Sequence, residues 1–183
     1  MLLYHGTNDI IGIIDLSKCK LRTDFGKGFY FSDKIGTAQN WAKDRTTARG
    51  KGIPTILQYE IDMKLLNQLN GLRFSLEPTV EWLDFVGLNR KFNKGINEYE
   101  KEPRHDYDWV SGPIADDKMN IVVDEYFANE ISIDEAIKCA KVLPKTYQFS
   151  LHTEKAVKCL NEINVFYRQF KNNYWLPTWI KRT

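Results

Sequence analysis

A chain of 183 residues that is 43% hydrophobic and 27% charged can bury one full core and is short for two, which predicts one domain over residues 1–183. Its net charge of +2 lacks the concentrated basic field of an electrostatically driven nucleic-acid binder. No run approaches the roughly 18 apolar residues of a membrane helix, and Met1-Leu2-Leu3-Tyr4 leads straight into polar His5-Gly6-Thr7 instead of a secretory pattern, so the expectation is a cytoplasmic protein with no membrane partner.

Leu2–His5 reads as a short strand ended by Gly6-Thr7, and Ile10–Leu16 as a loop or short helical turn. Phe25-Gly26-Lys27-Gly28 is a turn from which Phe29–Ser32 leaves as a second strand. Ser32-Asp33 is placed to cap a helix through Ala38, Trp41 and Ala42, and Thr47–Gly52 reads as a flexible loop. Pro54–Asp62 alternates as a strand, and Pro78–Phe92 has helical spacing with a proline near its first turn. Asn93–Asp106 is a charged connector, and Asp108–Pro113 a strand running into a turn. Helices are predicted over 117–128 and 133–142, the second opened by a Ser132/Glu135 capping box and closed by Pro144. Tyr147–His152 is a strand, Glu154–Phe170 has the spacing of a long amphipathic helix, and the aromatic tail from Tyr174 to Trp179 is expected to pack on the body. Short strands between helices of unequal length, without a βαβ rhythm, give an α+β fold class. Cys19, Cys139 and Cys159 share no CxxC-like spacing and read as small buried hydrophobes, and the scattered histidines leave no metal site.

Three strings carry chemistry. In His5-Gly6-Thr7 the imidazole can bond a ribose hydroxyl and Gly6 lets its backbone approach a planar amide, although a strand-end His-Gly is also an ordinary turn. Asp24–Ser32 combines two glycines with three aromatics. Tyr30 offers a flat face to a heteroaromatic ring, and a cationic nicotinamide would add cation–π attraction. A dinucleotide-type phosphate cradle fails there, because the third glycine and helix start are missing, while an aromatic core strand is the plainer alternative. Alternation in the third string puts Gln148, Ser150 and His152 on one face, lining a cleft or meeting solvent.

In this order the strings resemble the ADP-ribosyltransferase superfamily, in its poly(ADP-ribose)-polymerase-like branch. His5-Gly6-Thr7 and Gly26-Lys27-Gly28-Phe29-Tyr30-Phe31 match nearly letter for letter. The chain also resembles an uncharacterised bacterial branch through Asp108–Asp117 and Gln148–Glu154, over nearly its full length, most weakly at 93–105 and beyond Phe170. The resemblance implies a split antiparallel β core with flanking helices. It also implies NAD⁺ as substrate, held by His5, Gly6, Thr7, Phe29, Tyr30 and Trp41, with His5, Tyr30 and Gln148 as the catalytic set. His5 would contact the adenine-side ribose, Gly6 the nicotinamide carboxamide, and Tyr30 with Trp41 the nicotinamide ring. Ala38 replaces a serine of that branch, and Gln148 stands where the superfamily has its catalytic Glu. A neutral amide accepts the ribose 2′-OH but brings no charge, which disfavours chain elongation and makes Asp108, Asp116 and Asp117 the candidate assisting carboxylates. The implied activity is single ADP-ribose transfer to a macromolecule, protein before nucleic acid. By analogy with small toxins of toxin–antitoxin pairs, an antitoxin would be a partner. The alternatives are an inactive NAD⁺ or ADP-ribose binding module and a nucleic-acid-modifying relative, the latter suggested by Arg168, Lys171, Lys181 and Arg182 among the tail aromatics.

Overall fold

The structure, a computed structural model, describes residues 1–91, 105–115, 117–142, 146–171 and 174–182. Its strands are β1 (Leu2–Thr7), β2 (Phe29–Ser32), β3 (Thr55–Ile61), β4 (Gly71–Arg73), β5 (Trp109–Pro113), β6 (Tyr147–Leu151), β7 (Leu160–Lys171) and β8 (Tyr174–Lys181). Its helices are α1 (Ile35–Arg49), α2 (Met63–Leu66), α3 (Val80–Lys91), α4 (Asp117–Phe127), α5 (Ile133–Val142) and α6 (Glu154–Val157). The strands form one sheet in the order β4-β5-β6-β2-β1-β3-β7-β8, antiparallel except for the β4–β5 pair. The fold class is therefore α+β. No helix among the described residues is long and apolar enough to cross a membrane.

One seam in this sheet matters for the site. β1 is in register with β3 along its whole length, and β2 with β6, but β1 and β2 meet at the single pair Tyr4–Ser32. Beyond that pair His5-Gly6-Thr7 and Phe29-Tyr30 diverge, so the sheet consists of two halves hinged at one point. Past Tyr4 the backbone of β1 facing this notch has no strand partner among the described residues, and a buried edge of that kind needs one.

Strand alternation distributes the core over both faces. Leu3, Phe29, Phe31, Leu57, Tyr59, Phe149 and Leu151 make one apolar cluster, covered by Ile11, Ile14 and Leu16 from the β1–β2 connection and by Leu66 and Ala156. On the other face Phe25, Val110 and Phe74 pack under Trp82, Leu83 and Val86 of α3, Met119 and Val123 of α4, and Ala136 and Ala140 of α5. Helix α1 covers β1 on this second face. Its buried side is small (Ala38, Ala42, Thr46), and Gly6 lies directly beneath it: a Cβ on Gly6 would stand 2.1 Å from the Ala38 carbonyl oxygen.

Several predicted elements change. Residues 47–49 continue α1 instead of forming a loop, and the helix stops at Gly50, which adopts φ 62° and closes on Thr47 O. The helix starts without a side-chain cap, since Ser32 lies within β2, where its Oγ accepts from Lys34 N–H and donates to Tyr147 O at 3.3 Å. The long helix predicted over Glu154–Phe170 is the largest correction. Only Glu154–Val157 is helical, with Thr153 as N-cap, and Leu160–Lys171 is strand β7. Ile163, Val165 and Tyr167 fit a pleated surface, and β3 would otherwise leave its outer edge unpaired. The aromatic tail does not sink into the body: it is edge strand β8, none of whose residues is buried. The Ser132–Glu135 capping box forms as expected, with Glu135 accepting from Ser132 N–H at 2.8 Å. The cysteines are free, but Cys139 is exposed on α5 and only Cys159 is buried. Most of the 93–106 connector, Pro144 and Asp116 lie outside the described residues.

Candidate functional site

The notch between β1 and β2 gathers the three strings. Tyr30, Gln148, Ser150 and Gly6 share one face, because Tyr30 pairs with Ser150, Ser32 with Gln148, and Tyr4 with Ser32. His5 faces the opposite way, as strand alternation requires. It is 5% exposed and stacks on Phe29 with ring centroids 4.1 Å apart. Phe29 therefore backs the imidazole from within the core, and Thr7, on the same side as His5, is buried as well.

His5 spans the notch. Its Nδ1 lies 2.6 Å from the Tyr30 carbonyl oxygen. A carbonyl only accepts, so Nδ1 carries the proton and Nε2 presents a lone pair. That Nε2 is buried with no hydrogen-bond partner among the described residues. Burial is the main cause that pushes the His5 pKa down to about 4, partly opposed by the bond to Tyr30 and reinforced by Arg45. His152 is held alike, with Nδ1 2.8 Å from Lys27 O and a pKa pushed down to about 4 chiefly by burial. Both rings are neutral in the folded protein at pH 7. Between pH 6.5 and 4 the unfolded chain takes up protons that the folded chain refuses, so stability is expected to fall as pH falls through that window. The His5 contribution is up to about 3 kcal/mol. Urea midpoints at pH 7 and 4.5 measure the slope, which His5→Gln should flatten.

Tyr30 is fixed at both ends. Its hydroxyl donates to Gly26 O at 2.7 Å and accepts from Phe25 N–H at 2.9 Å, and its ring stacks with Phe25. Burial pushes the phenol pKa up, which makes Tyr30 a rigid flat surface and a poor proton carrier at pH 7. The two glycines before it have separate reasons. Gly26 takes φ 78°, closed to most side chains, whereas a Cβ on Gly28 would stand 2.3 Å from Ser150 Oγ. Trp41 is half-buried on α1 beside Gly6, and Tyr30's ring contact is with Phe25.

Gln148 is 3% exposed. Its amide nitrogen lies 2.5 Å from Asp24 Oδ2 and 3.3 Å from Pro113 O. A carboxylate and a carbonyl both demand a donor, so the NH₂ must point at them and Oε1 must point away. Asp24 is the centre of this network: it also accepts from Ala115 N–H at 2.8 Å and pairs with Arg90, whose guanidinium in turn donates to Ala115 O at 2.8 Å. Asp24 and Arg90 are the residues of this network that no motif singled out. They stand 124 and 58 residues from Gln148, and no spacing in the chain announces the contact.

The expected assisting carboxylates fare differently. Asp108 is not brought to Gln148: it sits at the opposite end of β5, accepting from Thr153 Oγ1 at 2.6 Å and Asn70 N–H at 3.1 Å, while Gly112 is the residue beside Gln148. Asp116 lies outside the described residues, and Asp117 is placed only as the first residue of α4. The carboxylate next to Gln148 is Asp24. A surface groove of about 430 Å³ lies apart from the notch, on the β7–β8 ribbon, lined by Ile53, Tyr167, Arg168, Gln169, Lys171 and Trp175.

Comparison with known proteins places the chain without assigning it an activity. No curated protein and no solved structure matches it. Residues 1–161 match the model of a family described as "Protein of unknown function (DUF3990)", a span that contains β1, β2, β6 and every residue of the notch. The chain belongs to the DUF3990 family.

Proposed function

We propose that the protein is a mono-ADP-ribosyltransferase that binds NAD⁺ in the β1–β2 notch and transfers ADP-ribose to a macromolecular acceptor. The observation that carries this reading is the orientation of Gln148. Its NH₂ is tied to Asp24 and Pro113, and Oε1 has no partner among the described residues. The chain thus holds an acceptor ready for a ribose hydroxyl, with an anionic group behind it that polarises the amide. The remaining residues fit the same substrate. His5 Nε2 is a buried acceptor without a donor, Tyr30 is an immobilised ring, and β1 past Tyr4 has unpaired backbone on its notch side. The split sheet with helices on both faces also agrees with the ADP-ribosyltransferase fold that the motifs resemble.

In the reaction the bond between ribose C1′ and the nicotinamide nitrogen breaks, and nicotinamide leaves as a neutral molecule with the electron pair. Positive charge develops on the ribose. Gln148 Oε1, accepting from the 2′-OH, stabilises it in proportion to that charge. A nucleophilic lone pair of the acceptor then forms the new bond to C1′, and its proton passes to solvent. The histidines stay neutral throughout, which keeps positive charge away from the reacting carbon.

Arg90 neutralises Asp24, and this favours a second reading, an NAD⁺ or ADP-ribose binding module with little turnover. Mass spectrometry of released nicotinamide separates the two. Labelled NAD⁺ in a cell extract identifies the acceptor, protein first and nucleic acid second, and shows whether an antitoxin-like partner suppresses labelling. Tyr30→Ala is expected to weaken NAD⁺ binding by about 1–2 kcal/mol through lost stacking. Equal affinities of the two proteins in calorimetry would take Tyr30 out of the site.

A further inference from the structure

The net charge of +2 is unevenly spread along the chain. Residues 160–183 hold four of the 26 Lys and Arg but one of the 24 Asp and Glu, so they carry +3 while residues 1–159 carry −1. The same stretch holds six of the 24 Phe, Tyr and Trp. It forms the β7–β8 ribbon, all but whose first two residues lie beyond the span that matches the family. In β8 neither Tyr174, Trp175 nor Trp179 is buried, so the rings and the cations are displayed together.

The groove on this ribbon gives the pattern a shape. Tyr167 and Trp175 supply rings to its lining, Arg168 and Lys171 supply cations, and its described lining includes no acidic residue. Arg168 is held in place: its guanidinium donates to the Leu176 carbonyl and, at 2.8 Å, to that of Trp175. Carbonyls accept these bonds without neutralising the charge, so the cation is positioned ahead of any ligand. Thr7 pairs with Thr55, and Thr55 with Tyr167. That register sets the groove two strand spacings, roughly 10 Å, from β1, as a surface separate from the notch.

Fixed cations beside rings fit a ligand that is anionic and flat at once. Inorganic phosphate or a run of acidic side chains answers the cations and leaves the rings in water. A bilayer surface accepts cations and rings alike, but β7 and β8 are joined by Asn172-Asn173, which offers no apolar side chain for insertion. A duplex keeps its bases stacked on one another. Single-stranded nucleic acid presents a charged backbone together with open base faces. We propose that the β7–β8 groove is a binding surface for single-stranded nucleic acid, in which Tyr167 and Trp175 stack on bases while Arg168 and Lys171 hold backbone phosphates. The surface does not depend on NAD⁺ cleavage in the notch.

The test is fluorescence anisotropy of the full chain with labelled DNA and RNA single strands of about 12 nucleotides and with the matching DNA duplex. Wild type, Trp175→Ala and Lys171→Gln are compared between about 50 and 200 mM salt. At least one single strand should bind more tightly than the duplex. Its log affinity should fall against log salt with a slope of about −1.4 to −2.8, as for two to four neutralised phosphates on a single strand. Trp175→Ala should weaken single-strand binding about tenfold or more at an unchanged slope, because stacking is lost. Lys171→Gln should make the slope shallower by about 0.7. Neither side chain is buried, so melting temperatures and NAD⁺ titrations should match wild type. If Trp175→Ala melts lower, the slope of Lys171→Gln decides alone. Failure of both single strands to bind overturns the surface, as does duplex binding of equal strength or indifference to both variants. Tighter capture of a poly-glutamate peptide or of phosphatidylserine vesicles overturns it too, by marking a protein or membrane partner. Strand binding that follows these variants in a chain that binds no NAD⁺ upholds the surface and defeats the function proposed above. NAD⁺ cleavage without strand binding does the reverse.

Discussion

Gln148→Ala is expected to lower the rate of nicotinamide release by about 10²–10³ while changing NAD⁺ affinity little. The hydrogen bond to the 2′-OH strengthens as charge develops on the ribose, whereas stacking on Tyr30 and backbone contacts at Gly6 act on bound substrate and transition state alike. Gln148→Glu gives the sharper reading. Placing at 148 the carboxylate of the superfamily that the motifs resemble would speed the proposed reaction if missing charge alone limited the rate. The position of Asp24, 2.5 Å from the amide nitrogen, argues for the opposite result. A carboxylate at 148 would meet the one at 24 in a site that is nearly closed to solvent, with Arg90 as the cation paired there among the described residues. Mutual repulsion raises the pKa of the pair, so one carboxyl must keep a proton at the cost of stability. The variant should therefore be slower than wild type at pH 7.5, melt lower, and recover relative to wild type as pH falls and the new acid becomes neutral. A faster Gln148→Glu enzyme at pH 7.5 would show that Asp24 does not govern this position. Wild-type rates in both variants would remove Gln148 from catalysis.

Asp24→Asn is expected to be the most destabilising single polar change in the notch. Asp24 is 4% exposed and accepts from Arg90, Gln148 and Ala115 N–H at once. An asparagine keeps the size but removes the charge and turns one oxygen into a donor, which sets an NH₂ group against another donor. The expected loss is about 3 kcal/mol, the low end for breaking a buried ion pair, since the Arg90 side chain keeps 24% of its exposure. Urea unfolding measures it. Adding Arg90→Met should return part of the loss, because the stranded guanidinium is then gone, and an additive double mutant would show that Asp24 and Arg90 are not coupled. Turnover should fall in Asp24→Asn even at temperatures where it remains folded, since nothing anionic then fixes which way the Gln148 amide points.

The sequence by itself determined the parts whose cause is local. Gly26 before Phe29-Tyr30-Phe31 specifies the turn that opens the strand, because it takes a left-handed φ. Ser132 and Glu135 specify a helix start through bonds that span three residues. Alternation in Tyr147–Leu151 separates Gln148 and Ser150 from Phe149 and Leu151, whatever the strand packs against. Tertiary structure decided the rest. Residues 160–171 carry apolar side chains that satisfy a period of 3.6 or of 2, and only the unpaired edge of β3 selects the strand. His5 and Tyr30 are adjacent in the notch yet face opposite sides of the sheet, a consequence of how two strands 25 residues apart come into register. The carboxylate behind Gln148 is Asp24 and not Asp108, because β5 and β6 run antiparallel and place Asp108 four residues from Gly112, at the far end of the pair. Motifs name side chains, and local bonds place the turns between them. Which side chains then meet across the sheet depends on pairing between distant segments, and that energy resides in the assembled core and not in any one stretch of the chain.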